Sequence, residues 1–251
     1  MKPVRMLLAA AFLYAGNAVA QGALADLSVF DRTEGRRLQV YRHEGRAYLV
    51  GRPGNEYQIT LRSRLQEDVL AVVSVDGINV ITGQSAEPSQ SGYVLRPRGA
   101  MEIQGWRRSL AQTAAFYFTS LPDSYAARTG RPNDVGVIGV ALFRRKVAQP
   151  PAPIGNAQPF RRESAEPRSS AGAAADSATP AETQLGTGHG RHETSPAHYV
   201  NFERATSAPA EVVTLYYDSR ANLVARGVIR EPIPVAPYPR PFPGFVPDPQ
   251  G

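Results

Sequence analysis

Cysteine is absent from the 251 residues. Its absence excludes thiol nucleophiles, thiolate zinc centres and iron–sulfur clusters. It also leaves an exported chain to hold itself together by its core, without disulfides. Lysine is almost absent too: Lys2 and Lys146 are the only two, so 26 of the 28 basic residues are arginine. There is no G-x-S-x-G nucleophile elbow and no nucleic-acid signature motif. After the N-terminus, no apolar run approaches the roughly 20 residues that cross a bilayer.

What is present begins with an export signal. Lys2 and Arg5 make a basic start, Met6 to Tyr14 (M-L-L-A-A-A-F-L-Y) is apolar, and Ala18-Val19-Ala20 is an A-x-A cleavage site before Gln21. This pattern predicts a signal peptide over 1–20 and a periplasmic or extracellular mature chain. No cysteine follows the cleavage site, so lipid attachment there is excluded. Charge is uneven. Residues 27–146 hold 17 basic and 11 acidic side chains, whereas 147–251 hold 9 and 10. The basic character therefore sits in the first block, which suits an anionic glycan or another anionic partner, or else a generally soluble face.

Composition divides the rest. Residues 21–146 read as strands almost throughout. Tyr57, Ile59 and Leu61 alternate with polar neighbours, and Val69 to Val75 is apolar on nearly both faces, as in a central strand. Glu44-Gly45, Arg52-Pro53-Gly54-Asn55 and Asp76-Gly77 are turn chemistry, the last an Asp-Gly hairpin signal between two apolar runs. One short helix is expected over Asp123 to Arg128, capped by Asp123 and ended by Gly130. Residues 147–190, rich in Pro, Ala, Ser and Gly, read as a disordered linker. In 191–230, Val212 to Asp218 and Asn222 to Ile229 read as a hairpin, too small to stand alone and so expected to rejoin the first block. Residues 231–251 form a proline-rich tail, disordered or in a polyproline format that displays Tyr238, Phe242 and Phe245 to a partner. The fold class expected is mainly β: a single antiparallel β-sandwich, or a barrel-like domain, completed across the linker.

Chemistry is sparse. Leu185 to Ser195, L-G-T-G-H-G-R-H-E-T-S, gathers His189, His192 and Glu193. H-x-x-H-E permutes the zinc-protease pattern H-E-x-x-H without matching its i, i+4 spacing on a helix. The three residues are candidate metal ligands for a hydrolase, set against a polar loop leading into a strand at Tyr199 to Phe202. The glycines lack the strand-before and helix-after context of a phosphate loop. Trp106, Arg107 and Arg108 are candidate ligand-binding residues, since an indole beside guanidiniums can stack on sugars; the competing reading is a core anchor. No catalytic residues and no cofactor are assigned.

The stretches G-R-P-G-N-E-Y, L-A-V-V-S-V-D-G-I-N-V-I-T-G, Q-S-G-Y-V-L, I-Q-G-W-R, Y-A-A-R-T-G and V-G-V-I-G-V-A stand together in this chain. As a set they resemble a group of exported proteobacterial proteins that have no established activity. The resemblance spans about Arg37 to Phe143, together with L-Y-Y-D-S-R-A-N-L-V-A-R-G-V-I near the C-terminus. It implies a shared folded module and an envelope address, and it assigns no site residues. The function expected is that of a non-enzymatic envelope protein, with a binding or structural role towards a protein, glycan or anionic surface; the alternative is a metal-dependent hydrolase built on His189, His192 and Glu193.

Overall fold

The structure, a computed structural model, describes residues 19–147 and 184–230. Residues 1–18 of the expected leader, 148–183 of the expected linker and the proline-rich residues 231–251 lie outside the described residues. Two sheets pack on one core without closing into a barrel, a sandwich-like arrangement.

The first sheet contains β1 (Ala20–Gln21), β2 (Ala25–Asp31), β3 (Arg36–Arg37), β6 (Glu56–Ser63), β10 (Ala100–Ile103), β11 (Gly105–Arg107), β12 (Gln112–Ser120) and β14 (Leu185–Thr194). The second contains β4 (Val40–His43), β5 (Arg46–Val50), β7 (Val69–Val75), β8 (Ile78–Asn79), β9 (Tyr93–Leu95), β13 (Val137–Arg144) and β15 (Glu211–Asp218). The helices α1 (Tyr125–Arg128) and α2 (Arg220–Ala225) are short. In the first sheet β2, β6 and β12 are successive neighbours, and β14 lies along β12. In the second the order is β4, β5, β15, β13, β7 and β8. Every pairing is antiparallel except β5 with β15.

The alternation in β6 has the expected result: Tyr57, Ile59 and Leu61 are buried while Arg62 is exposed. The two-faced β7 is central, between β13 on one side and β8 and β9 on the other. Its inward Val69, Ala71, Val73 and Val75 join the main core, while Leu70 and Val72 pack with Phe143 on the outer face, where Phe202 covers them. Both residues of Glu44-Gly45 and of Asp76-Gly77 have positive φ, as a two-residue hairpin turn of type I′ requires.

The C-terminal part rejoins the sandwich in a different manner from the one expected. Residues 185–190, assigned to the linker, begin the strand β14. A Cβ on Gly188 would lie 2.2 Å from the Tyr117 ring of the neighbouring strand, and one on Gly186 would lie 2.6 Å from Ser124 Cβ. The alternating glycines therefore answer side chains packed over the strand. Residues 222–229 are not a strand. Ser219 caps α2 by accepting the Asn222 N–H (3.2 Å), and Leu223 packs with Val228 and Ile229 against Tyr48. With no hairpin mate, β15 inserts between β13 and β5. Residues Tyr199 to Phe202 form no strand but cross from the end of β14 towards the second sheet, bridged at Arg145 and Arg204. Ser124, and not Asp123, caps α1 by accepting the Ala127 N–H at 3.1 Å.

At mid-core Phe118 stacks on Tyr57 (4.3 Å between centroids) and leans on Tyr217 (5.4 Å), joining β12 and β6 to β15. Phe118→Ala should cost about 3–5 kcal/mol of unfolding free energy with an unchanged denaturant slope, as measured by urea titration. A loss under 1 kcal/mol would show that the sheets are not joined there.

Candidate functional site

The histidines of β14 are brought together by a bulge. On a regular strand, residues three apart point to opposite faces. Here Ala114 pairs with His192 while Phe116 pairs with His189, so β14 carries one extra residue opposite Ala115. Both imidazoles then share the face of Phe116 and Ala114, with ring centroids 6.4 Å apart and planes nearly perpendicular. His189 lies against Tyr125 at 5.5 Å. Partial burial lowers its pKa, and the neighbouring Arg108 lowers it further. The Arg108 guanidinium sits 3.0 Å from His192 Nε2.

Glu193 points the other way. Arg32 grips it with two hydrogen bonds, 2.8 and 2.9 Å, and Arg191 approaches at 2.6 Å. Arg191 in turn holds Glu56 through two contacts of 2.8 and 2.9 Å. The proposed metal set is thus split by the strand itself: two histidines on one face beside a guanidinium, the carboxylate on the opposite face in an ion network. Among the described residues, no group of three His, Asp or Glu side chains is arranged to hold a metal ion. On β14 the two histidines and Glu193 therefore do not converge on one centre.

The Trp106 group divides as well. Trp106 is 3% exposed, its indole N–H donates to the Gly188 carbonyl at 3.1 Å, and its ring meets Phe116 edge-on and Tyr125 at a tilt. The indole is an anchor within the core and offers no open face to a sugar. Arg107 donates to the Ser195 carbonyl and approaches the Tyr93 hydroxyl (3.3 Å), tying β11 to the chain beyond β14. Arg108 is exposed and reaches His192.

Among the described residues, the one carboxyl with a large pKa shift, Asp76, is a residue the sequence presented as a turn residue. Asp76 is 1% exposed. Its Oδ1 accepts from the Tyr217 hydroxyl and the Gly136 N–H (2.9 Å), and its Oδ2 accepts from the Thr187 N–H (2.7 Å). The Thr187 hydroxyl lies 2.7 Å from the hydroxyls of both Tyr217 and Tyr57. Since the Tyr217 proton is committed to the carboxylate, Thr187 donates to Tyr217 and Tyr57 donates to Thr187. Burial pushes the Asp76 carboxyl up to about 6 against the opposing pull of these donors. Burial and the adjacent Asp76 also push both tyrosines well above the ordinary phenol range, so they remain protonated donors.

A surface cleft of about 300 Å³ opens where the turn after β5 meets the start of α2. Arg36, Arg52, Arg220, Tyr41 and Gln39 line it. Glu34 is bound by both Arg36 and Arg52, and the Arg36 hydrogen bond is the main reason its carboxyl is held below the usual range. Arg36 and Arg52 share Glu34, and Arg220 also lines the cleft. Nothing in the sequence joins these residues, because the cleft combines three separate segments of the chain. No protein family, curated protein or solved structure significantly matches the chain.

Asp76 makes a pH prediction. Its folded pKa lies above its unfolded value near 4, so its contribution to stability is complete below pH 4 and is lost as pH rises through about 6. The stability difference between the native chain and Asp76→Asn should therefore shrink by about 2–3 kcal/mol from pH 4 to pH 7. Parallel urea titrations measure it, and a difference independent of pH would exclude titration of Asp76 in that range.

Proposed function

We propose that this is an exported cell-envelope protein, periplasmic or extracellular, whose role is binding and not catalysis, and whose partner presents anionic groups, an acidic envelope glycan in the first instance. The arginine-lined cleft carries the reading. A guanidinium offers a planar fork of donors that matches carboxylate, phosphate and sulfate groups, and three of them converge here. Tyr41 and Gln39 add an aromatic ring and an amide, groups suited to sugar rings and hydroxyls. The sealed position of Asp76 also favours binding over catalysis, since a perturbed carboxyl that no substrate can touch serves the fold.

Export is supported by the leader pattern: the basic Lys2 and Arg5, the apolar run Met6 to Tyr14 and the A-x-A tripeptide Ala18-Val19-Ala20.

The reading is tested on an immobilised sulfated or uronic-acid glycan at about 0.15 M salt, where bulk surface attraction is strongly screened. Arg36→Gln/Arg52→Gln/Arg220→Gln should weaken retention at least tenfold. Arg62→Gln/Arg96→Gln/Arg98→Gln removes the same charge from exposed positions elsewhere and should leave retention within twofold. Equal losses in the two variants would reduce the interaction to net charge and overturn the cleft as its site.

A further inference from the structure

We infer that Tyr117 is the platform of a second binding site, one that takes a neutral sugar. The apolar face of a pyranose ring stacks on the phenol, and its hydroxyls meet the charged groups beside it. The site uses none of the residues of the arginine cleft and is independent of it.

Tyr117 stands between Gly188 of β14 and Glu56 of β6, on the opposite face of β12 from the buried Phe116 and Phe118. A Cβ on Gly188 would lie 2.2 Å from its Cζ, 2.4 Å from its Cε1 and 2.6 Å from its hydroxyl oxygen. With Cζ nearest and both bonded neighbours only slightly further, that point lies over the ring and not beside its edge. The phenol therefore lies flat on the Gly188 backbone, and any side chain there would lift it off. Gly190 leaves similar clearance along the strand, where a Cβ would come 3.2 Å from Cδ1. One face of the ring rests on the sheet and the other is turned outwards, on a residue that is half-buried. Among the described residues, the hydroxyl has no hydrogen-bond partner and no second ring or guanidinium stacks on the phenol. The ring is held in place, yet its polar end is unused.

The groups beside it are polar and balanced in charge. Glu56 sits directly opposite Tyr117, so the two share a face. Arg191 donates two hydrogen bonds to Glu56 (2.8 and 2.9 Å) and meets Glu193 at 2.6 Å. Arg32 binds Glu193 and lies 3.7 Å from Glu56. Two carboxylates and two guanidiniums cancel, so this surround selects neither an anion nor a cation. Their remaining lone pairs and N–H donors can serve sugar hydroxyls as acceptors and donors. A pyranose with equatorial hydroxyls presents a flat C–H face that matches the electron-rich face of a phenol. Such a ligand is amphipathic on the scale of one ring, as this surface is, whereas a protein interface would need a larger apolar centre.

The test is saturation-transfer NMR on the full chain with a soluble hexamer of β-1,4-linked glucose. The expected result is transfer from tyrosine ring protons to the axial C–H protons of the sugar, with an affinity unchanged between about 0.05 and 0.5 M salt. Tyr117→Phe keeps the stacking face and should bind within about threefold of the native chain, whereas Tyr117→Leu should bind about tenfold more weakly. Matching urea midpoints for the two variants would show that the loss is not unfolding. Binding that Tyr117→Leu leaves unchanged, or no transfer from the native chain at millimolar sugar, would overturn the site. An affinity that falls steeply with salt would overturn the neutral assignment. A dimer that Tyr117→Leu dissociates, seen by sedimentation, would give the face to a second copy of the chain and overturn the proposal as well.

Discussion

The fold turns on one buried carboxylate. Asp76 sits at the tip of the β7–β8 turn, where an acidic side chain would ordinarily reach solvent, yet it is enclosed and met by Tyr217, Thr187 and Gly136. An ionised group with no water around it is tolerated only when it is hydrogen-bonded, and removing one partner of such a network leaves the others stranded. The hydroxyl chain that satisfies it runs from the turn through β15 to β14 and ends on Tyr57 of β6, so both sheets contribute. Apolar burial holds the layers together, but it is indifferent to small slips. The carboxylate is directional, and it sets how β14 and β15 meet the first block of the chain.

Arginine does elsewhere what lysine could not. Arg32 and Arg191 each grip a glutamate with two nitrogens, a fork geometry that an ammonium lacks. Arg145 lies over the Phe202 ring at 4.8 Å and Arg204 over Phe143 at 4.3 Å, closing the outer face of the second sheet with flat, weakly hydrated cations. Exposed single ion pairs contribute little. The linked set on the outer face of β14 matters chiefly for orientation, since it keeps Glu193 turned away from the histidines. The scarcity of lysine is therefore matched by structural use of arginine, and the cleft near Tyr41 is where that same residue type gathers around a cavity.

Local chemistry made part of this legible in advance. The alternation over Tyr57, Ile59 and Leu61, and the Glu44-Gly45 and Asp76-Gly77 turns, depend on neighbours a few residues away and could be read from the chain. What escaped depends on distance. The glycines of β14 argue against a strand when taken alone, and only the Tyr117 ring and Ser124 across the sheet explain them. Asn222 to Ile229 is a short apolar run, ambiguous by period, and the choice of helix lies with the Ser219 cap and Leu223 packing on Tyr48. The importance of Asp76 was hidden because Tyr217 and Thr187 lie 141 and 111 residues further on. The histidine cluster looked like a site because adjacency in sequence suggested a shared face, and strand geometry sends adjacent residues to opposite faces.

The late arrival of β14 and β15 bears on how the chain reaches this state. Until Thr187 and Tyr217 emerge, Asp76 lacks two of its donors, β12 and β13 each present an open edge, and Glu211 has not fastened Ala23 and Leu24. Pairings between such distant segments form slowly, because a long loop must close before any contact rewards it. A chain built this way stays uncommitted until its C-terminal strands are available to pair. The same delay exposes two strand edges to neighbouring chains, so the time taken by the tail end to arrive sets the window for misassembly.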